Sequence, residues 1–366
     1  MTVTIRDVAR DAKVSVATVS RVLNASGPVH PTTSARVREA AERLRYVPHG
    51  GARSLVTSET YTLGVVLPDI YGEFFSEVIR GLDAAARGHG YHLLLSSAHA
   101  SPAEMQAALR SMRGRVDGVV VMLPDLDARE LLAHLPDGAP VVLLNRAVGQ
   151  FPALTIDNHG GARAMVRHLL ALGHRRIGTI VGAESNADAG ERLRGYRAAL
   201  VEAAMPPRAE WEVRGDFTEA GGHAAVGALL AAAERPTAIF AANDAMAIGA
   251  LSALREAGVR VPHEMAVAGF DDIPMARYVD PPLSSVHVPI ARLGTRAVER
   301  LMAMLHPELH PELHPELQSG PGVASPMVSR HEKCATTLVI RRSCGGRASG
   351  DAVPPAPEAG RDATFP

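Results

Sequence analysis

The chain has 366 residues, 46% of them hydrophobic and 21% charged, which is too long for one core of about 100–200 residues and too apolar for wholesale disorder. No run of about 18 apolar residues is free of charge, Met1-Thr2-Val3-Thr4-Ile5-Arg6-Asp7 lacks the apolar core of a secretory signal, and two cysteines make no disulfide framework; a membrane span is excluded and a reducing cytoplasm is expected. The net charge of −1 is uneven: residues 1–60 hold nine basic and five acidic side chains, a net of +4, leaving −5 for the rest, so a basic head on an acidic body suits a polyanion-binding module.

The head reads as a helix-turn-helix. Thr4 caps a helix from Ile5, with Asp7 at its third position and Val8, Ala9 and Ala12 as the apolar stripe. After Lys13-Val14, Ser15 caps a second helix over 16–24. Val19, Val22 and Leu23 face inward; Val16, Ala17, Ser20 and Arg21 face out. A third helix runs from about Thr33 through Arg45, with Val37, Ala40, Ala41 and Leu44 inward, and Pro48 follows it. Two short helices joined by a tight turn suit a major-groove reader. Arg21 is the best base contact, since a guanidinium donates two bonds to guanine O6 and N7. Val16 and Ala17 offer apolar contact, while Ser15, Thr18, Ser20 and the helix N-terminus suit phosphates. Spacing alone leaves open a small three-helix domain whose surface arginines are merely solvated.

Thr4-Ile5-Arg6-Asp7-Val8-Ala9 followed by Val14-Ser15-Val16-Ala17-Thr18-Val19-Ser20-Arg21-Val22-Leu23-Asn24 strongly resembles the start of the lactose/galactose repressor (LacI/GalR) family. The likeness runs through nearly all of the chain. It implies that Val16, Ala17 and Arg21 sit where the recognition helix reads bases. It also implies a hinge helix whose leucine wedges into the minor groove and bends the duplex. Leu55, in Ala52-Arg53-Ser54-Leu55, is the matching residue, although a leucine tucked against the body is the plain alternative. The chain departs from the family at Gly50-Gly51, each costing about 1 kcal/mol of helix propensity. The expected DNA-binding set is Thr4, Ser15, Val16, Ala17, Thr18, Ser20, Arg21, Asn24 and Leu55, in a domain over 1–48 and a hinge over 49–60.

The body, 61–342, reads as two α/β lobes. Buried-strand patterns at 62–68, 91–96, 116–122 and 140–145 alternate with helices over 74–88 and 102–113. The pattern then repeats: strand 176–181, helix near 189–204, a short extended 212–215, helix 219–234, and strands 238–242 and 265–270. Continuous apolar strands separated by helices of this length argue for parallel sheets with helices on both faces. The doubling resembles the periplasmic sugar-binding fold, whose chain crosses between lobes three times.

Ligand sites in such folds lie in the cleft at the carboxyl ends of the strands. Asp157-Asn158, Asn243-Asp244 and Asp271-Asp272 follow strands, and Arg192 opens the motif Arg192-Leu193-Arg194-Gly195-Tyr196. The resemblance implies that Arg192 and Asp271 hold polar groups of a ligand, that Asn243 is a polar pocket residue and that Phe217 stacks on a ring. Asn145 and Phe74 line the first lobe's side. Carboxylate, amide, guanidinium and aromatic ring suit a sugar, and a nucleobase equally. Asp157 and Asp244 read better as helix caps or interlobe contacts. Arg192 paired to a structural carboxylate and Phe217 as core packing are serious rivals.

The enzyme reading finds no Gly-x-Ser-x-Gly, no His-Glu-x-x-His and no convergent catalytic group, so none is assigned. No cofactor or metal is expected. His168 and His174 read as a packed helix-to-strand corner, and Cys334 and Cys344 lack paired histidines. Pro281-Pro282-Leu283-Ser284-Ser285-Val286 resembles the family's crossover to the first lobe, and a helix follows over 290–305. His306-Pro307-Glu308-Leu309 then recurs three times through Leu317, too proline-rich for a helix, and 306–332 is expected to be a surface loop. His306, His310 and His314 are not expected to converge on a metal. Thr336 to Ser343 resembles the final strand, and 343–366 is expected to be a disordered tail.

The expected protein is a regulator of transcription, most often a repressor, binding a palindromic operator as a homodimer. The resemblance implies that segments near 76–90 and 249–257 build part of the dimer, and no leucine-heptad tail for tetramers is expected. A small effector between the lobes, a sugar in first place, would control DNA affinity. A purine or other metabolite as corepressor is the alternative, and a sugar-binding receptor without DNA function a more distant one.

Overall fold

The computed structural model describes residues 3–24, 27–46, 59–99, 101–122, 134–135, 138–184, 186–309 and 331–346. The head has helices α1 (Ile5–Asp11), α2 (Val16–Asn24) and α3 (Pro31–Arg43). Thr4 donates its backbone N–H (3.0 Å) and its hydroxyl (2.6 Å) to the Asp7 carboxylate, which fixes the start of α1. Helix α3 begins two residues earlier than expected, because Pro31 fits the first turn, where its missing N–H has no intrahelical partner to lose. Val8, Ala9, Ala12, Val19, Val22, Val37, Ala40 and Ala41 form the buried core, with Leu23 and Leu44 at its margin, as the spacing predicts. Arg43 reaches Asp11 at 2.6 Å and ties α3 to α1.

Among the described residues the body holds two six-stranded sheets. The first takes β1 (Thr62–Leu67), β2 (His92–Ser97), β3 (Gly118–Met122), β4 (Val141–Leu144), β5 (Ala153–Ile156) and β11 (His331–Cys334), in the order β11-β5-β4-β3-β1-β2. The second takes β6 (Ile177–Val181), β7 (Glu212–Arg214), β8 (Ala238–Ala241), β9 (Ala266–Asp271), β10 (Ser284–His287) and β12 (Thr337–Val339), in the order β12-β10-β9-β8-β6-β7. All pairings are parallel except β10 with β12. Every residue of β3, β4, β6, β8 and β9 is buried, so these strands read as apolar runs without alternation.

Helices α4 (Glu73–Gly88), α5 (Pro102–Met112) and α10 (Ile290–Leu305) cover the first sheet. Helices α6 (Asn158–Ala171), α7 (Ala187–Glu202), α8 (Glu219–Ala231) and α9 (Asp244–Glu256) belong to the second lobe. Helix α4 crosses α10 where Gly81 meets the Ala291 carbonyl and Gly294 meets that of Val78; a methyl group at either would overlap backbone.

Among the described residues the chain passes between lobes at Asp157, at Val288-Pro289 and at Ala335-Thr336. Several expected boundaries move. Ser284–His287 is a strand of the second lobe and not the crossover, because Val286 is buried between β9 and β12. The loop expected over 306–332 opens with a short 3-10 turn, Pro307–Leu309, and its last two residues, His331 and Glu332, already belong to β11. Glu332 accepts from Arg296 and Arg300 of α10, both at 3.0 Å, which holds that edge strand. The tail expected from 343 starts later: Ser343 and Cys344 are buried, and Ser343 Oγ donates to Val267 O (2.6 Å) and accepts from Ser284 N–H (2.8 Å). Thr60, placed in the hinge, already donates through N–H and hydroxyl to Asp117. Residues 49–58 of the hinge, Leu55 included, the second and third His-Pro-Glu-Leu repeats and residues 347–366 lie outside the described residues.

Candidate functional site

The core of the head dictates what it shows to solvent. With Val19 and Val22 buried, helical spacing turns Val16, Ala17 and Arg21 outward, and Val16 is 41% exposed. Ser15 Oγ accepts the Thr18 N–H at 3.1 Å and contacts the Thr18 hydroxyl at 2.9 Å, so Ser15 is a helix cap as well as an exposed polar group. The first turn of α2 carries no acidic residue, which leaves the positive end of its dipole open to a phosphate. Ser20 is half-buried and Asn24 is the last residue of α2. Thr4 is engaged with Asp7.

The second site lies at the carboxyl ends of the strands, between the lobes. Helix α7 buries Ala189, Arg192, Gly195, Tyr196 and Ala199, one face at helical spacing. Gly195 rests against the His159 carbonyl, and Tyr196 donates to Ile177 O at 2.7 Å. This docking seats α7 on α6 and β6 and carries Arg192 inward. Arg192 Nε donates to Asn158 Oδ1 at 2.8 Å and Nη1 to Ala242 O at 2.5 Å. Its Nη2 lies 3.1 Å from Asp271 Oδ1, an ion pair that leaves this oxygen without an aligned hydrogen bond. The guanidinium also stacks on Phe270, 3.8 Å from the ring centre.

Asn145, from the end of β4 in the first lobe, donates Nδ2 to Asp188 of α7 at 2.8 Å. Asp188 accepts a second bond from Asn158 Nδ2, also 2.8 Å. Asn145, Asp188, Asn158, Arg192 and Asp271 therefore form one connected chain across the cleft. The Asn145 Oδ1 is buried and without a hydrogen bond. Burial pushes the Asp271 carboxyl up to about 6; Arg192 opposes the shift and the Asp188 charge adds to it. Asn145, Phe217 and Asp271 all have left-handed backbone, at φ of 66°, 70° and 108°, the kind of strain that clusters at binding sites.

The remaining expected residues divide. Phe217 is half-buried, with its ring packed against Gly182. Asn243 caps α9 through Oδ1 to Met246 N–H (3.0 Å) and donates to Phe217 O (3.0 Å). Asp244 is not the cap: it sits one residue inside α9, fully buried, taking bonds from Ser285 Oγ (2.5 Å) and Ile273 N–H (2.9 Å). Asp157 caps α6 as expected and pairs with Lys333 at 2.6 Å. Phe74 stands edge-on to Phe75, half-buried at the start of α4. Asp188 was missed and Asn158 was noted without a role. The signal for Asp188 was its place one helical turn before Arg192. Among the described residues no group of three His, Cys, Asp or Glu is placed to hold a metal, and no helix is long and apolar enough to cross a membrane.

Residues 4–49 match the bacterial regulatory proteins of the lacI family, and residues 166–344 match a periplasmic binding protein-like domain. Catabolite control protein A of Priestia megaterium is 36% identical over 312 residues, 84% of this chain and 94% of that protein. The HTH-type transcriptional repressor PurR of Edwardsiella ictaluri is 39% identical over 82% of this chain and 89% of its own. Among solved structures, the lac repressor dimer bound to operator and the anti-inducer ONPF has a TM-score of 0.79 at 28% identity, covering 94% of this chain and 99% of that one. The transcriptional regulator CelR–cellobiose complex has a TM-score of 0.66 at 32% identity, covering 93% and 99%.

Proposed function

Because the chain belongs to the LacI family of bacterial regulatory proteins and is a DNA-binding transcriptional regulator with a ligand-binding domain, we propose that it represses transcription as a homodimer on a palindromic operator, released by a small effector in the cleft. The observation that carries this reading is the outward face of α2 on a self-contained core, with Arg21 and Val16 exposed above it. In this reading the head over 1–48 grips DNA, the hinge over 49–60 carries Leu55 as minor-groove wedge, and the body binds the effector and the second subunit. Val16, Ala17 and Arg21 read base edges; Ser15, Thr18 and Ser20 hold phosphates, with Thr4 and Asn24 at the rim.

Arg192, Asp271, Asn145, Asn243, Phe217 and Phe74 bind the effector. Cleft closure alters the setting of the heads through a coupling of roughly 1–3 kcal/mol. A sugar is the first choice, in keeping with the cellobiose held by the structurally similar CelR. A purine or other metabolite as corepressor is the second reading, because carboxylate, amide and aromatic groups suit a nucleobase as well as a sugar. Selection from a random duplex pool with the full-length protein tests the proposal. Enrichment of an inverted repeat, with retention changed by one sugar or purine, supports it; no enriched sequence overturns it.

A further inference from the structure

We propose that Asp272 is a positioning residue that carries effector binding at Asp271 to the crossings between the lobes, without touching the effector itself. The inference rests on the effector reading above and adds to it the route by which the cleft acts on the rest of the chain.

Asp271 and Asp272 are consecutive and both left-handed, at φ of 108° and 55°, a backbone that residues other than glycine keep only where neighbours hold it. The holding bonds are specific. Asp272 N–H donates to Ser285 Oγ at 3.1 Å and Ile273 N–H donates to the Asp244 carboxylate at 2.9 Å. Ser285 Oγ donates to that same carboxylate at 2.5 Å. The turn that follows Asp271 is thus fixed to β10 and α9.

The Asp272 side chain, 6% exposed, then reaches two of the three crossings. Its Oδ2 lies 3.0 Å from His287 Nδ1, and His287 is the last residue of β10 before the chain crosses at Val288-Pro289. Its Oδ1 lies 2.7 Å from Arg341 Nη2, an ion pair without an aligned hydrogen bond. Arg341 follows β12, the strand entered from the crossing at Ala335-Thr336. Asp271 joins through its backbone, since its carbonyl accepts the Val288 N–H at 3.2 Å. Asp272, His287, Val288 and Pro289 line a cavity of about 430 Å³ that neither Asp271 nor Arg192 lines, a different space from the effector cleft. Lobe closure is absorbed by backbone rotation at a few residues, here those of the crossings. A ligand that draws on Asp271 displaces a turn whose next side chain is bonded beside two of them. Hydrogen-bond and ion-pair networks carry such coupling, and one substitution in them changes it by roughly two- to thirtyfold.

Two quantities in the full-length protein separate coupling from binding. Calorimetry gives effector affinity, and fluorescence anisotropy on the selected inverted repeat gives the change in operator affinity that the effector brings. The probes are glucose, galactose, ribose, cellobiose, adenine and guanine. Asp272→Ala should keep effector affinity within about tenfold of the parent and shrink the effector-induced change at least about threefold. His287→Ala should shrink it in the same direction, and the two losses should not add in the double variant. Asp272→Asn keeps an acceptor for His287 and drops the ion pair, and should fall between the parent and Asp272→Ala. A smaller effect on the effector-induced change in Asp272→Ala, whatever its melting temperature, overturns the inference and leaves Asp272 a structural residue. A larger loss of effector affinity overturns it as well, and puts Asp272 in the binding site. If Asp272→Ala fails to fold, Asp272→Asn and His287→Ala decide by the same two readings. No binding by any probe, or binding that leaves the parent's operator affinity unchanged, overturns the effector reading and the inference with it.

Discussion

Arg192 and Asp271 meet at 3.1 Å on the floor of the cleft, each side chain only 5% exposed. The pair is structural as well as ligand-facing. Arg192→Ala removes the charge that compensates a buried carboxylate, and such a loss costs about 3–5 kcal/mol. The expected variant melts well below the parent and no longer responds to effector. Adding Asp271→Asn should restore part of the stability but none of the response, as read from thermal melts in a double-mutant cycle. Additive losses would mean that the two side chains do not support each other.

Acidity should act on the same pair. The Asp271 carboxyl stands at about 6 in the folded chain against 3.8 for the free side chain. Between those values the folded state holds more protons than the unfolded state, so this group's contribution to stability falls as pH rises through the window. Burial and the Asp271 charge push Asp244 up too, in the same direction. Effector donors need the ionised Asp271, so affinity should weaken as pH drops below about 6, a dependence that Asp271→Asn should flatten. Titrations between pH 5 and about 8 read both slopes.

On the head, Arg21→Ala should weaken operator binding by about 1–3 kcal/mol and relax the preference at one base pair of each half-site. The exposed position predicts an unchanged melting temperature. Fluorescence anisotropy on matched and mismatched duplexes measures both quantities. Equal affinity for the selected site would remove Arg21 from base recognition.

Two glycines in one helix offer a contrast. Gly81→Ala sets a methyl group onto the Ala291 carbonyl where α4 crosses α10, a clash that should cost about 1–3 kcal/mol. Gly88, at the end of the same helix, has nothing within 4 Å of the position a methyl would take, so Gly88→Ala should be neutral or stabilise by about 0.4–1 kcal/mol. Denaturant melts of the two variants check the difference.

The parts of this molecule legible from sequence are those ruled by period. The inward sets of α1, α2 and α3 and the unbroken apolar β3 and β4 follow from spacing alone. Arg192 was visible through its motif, and Gly195 and Tyr196 show why the motif exists: they dock the helix that aims it. What stayed hidden depends on contacts far apart in sequence. His331-Glu332-Lys333-Cys334 has little strand character of its own and becomes β11 through β5 and the arginines of α10. Asn243 and Asp244 are adjacent and both are able to cap; only the one-residue phase of α9 assigns the cap to Asn243 and buries Asp244. Asp188 gains its place from Asn145 and Asn158, one from each lobe.

Among the described residues the three passages between lobes are one or two residues long. A backbone residue reaches at most about 3.6 Å, so none of these straps lets its ends part by more than roughly a dozen ångströms. The Asp157–Lys333 pair and the bond from Asp157 N–H to Cys334 O (3.0 Å) bind two of the straps side by side. Two bodies held in this way cannot separate or slide past each other. The freedom left to them is a swing about the line of the straps, with little travel beside the tethers and the greatest arc at the far rims.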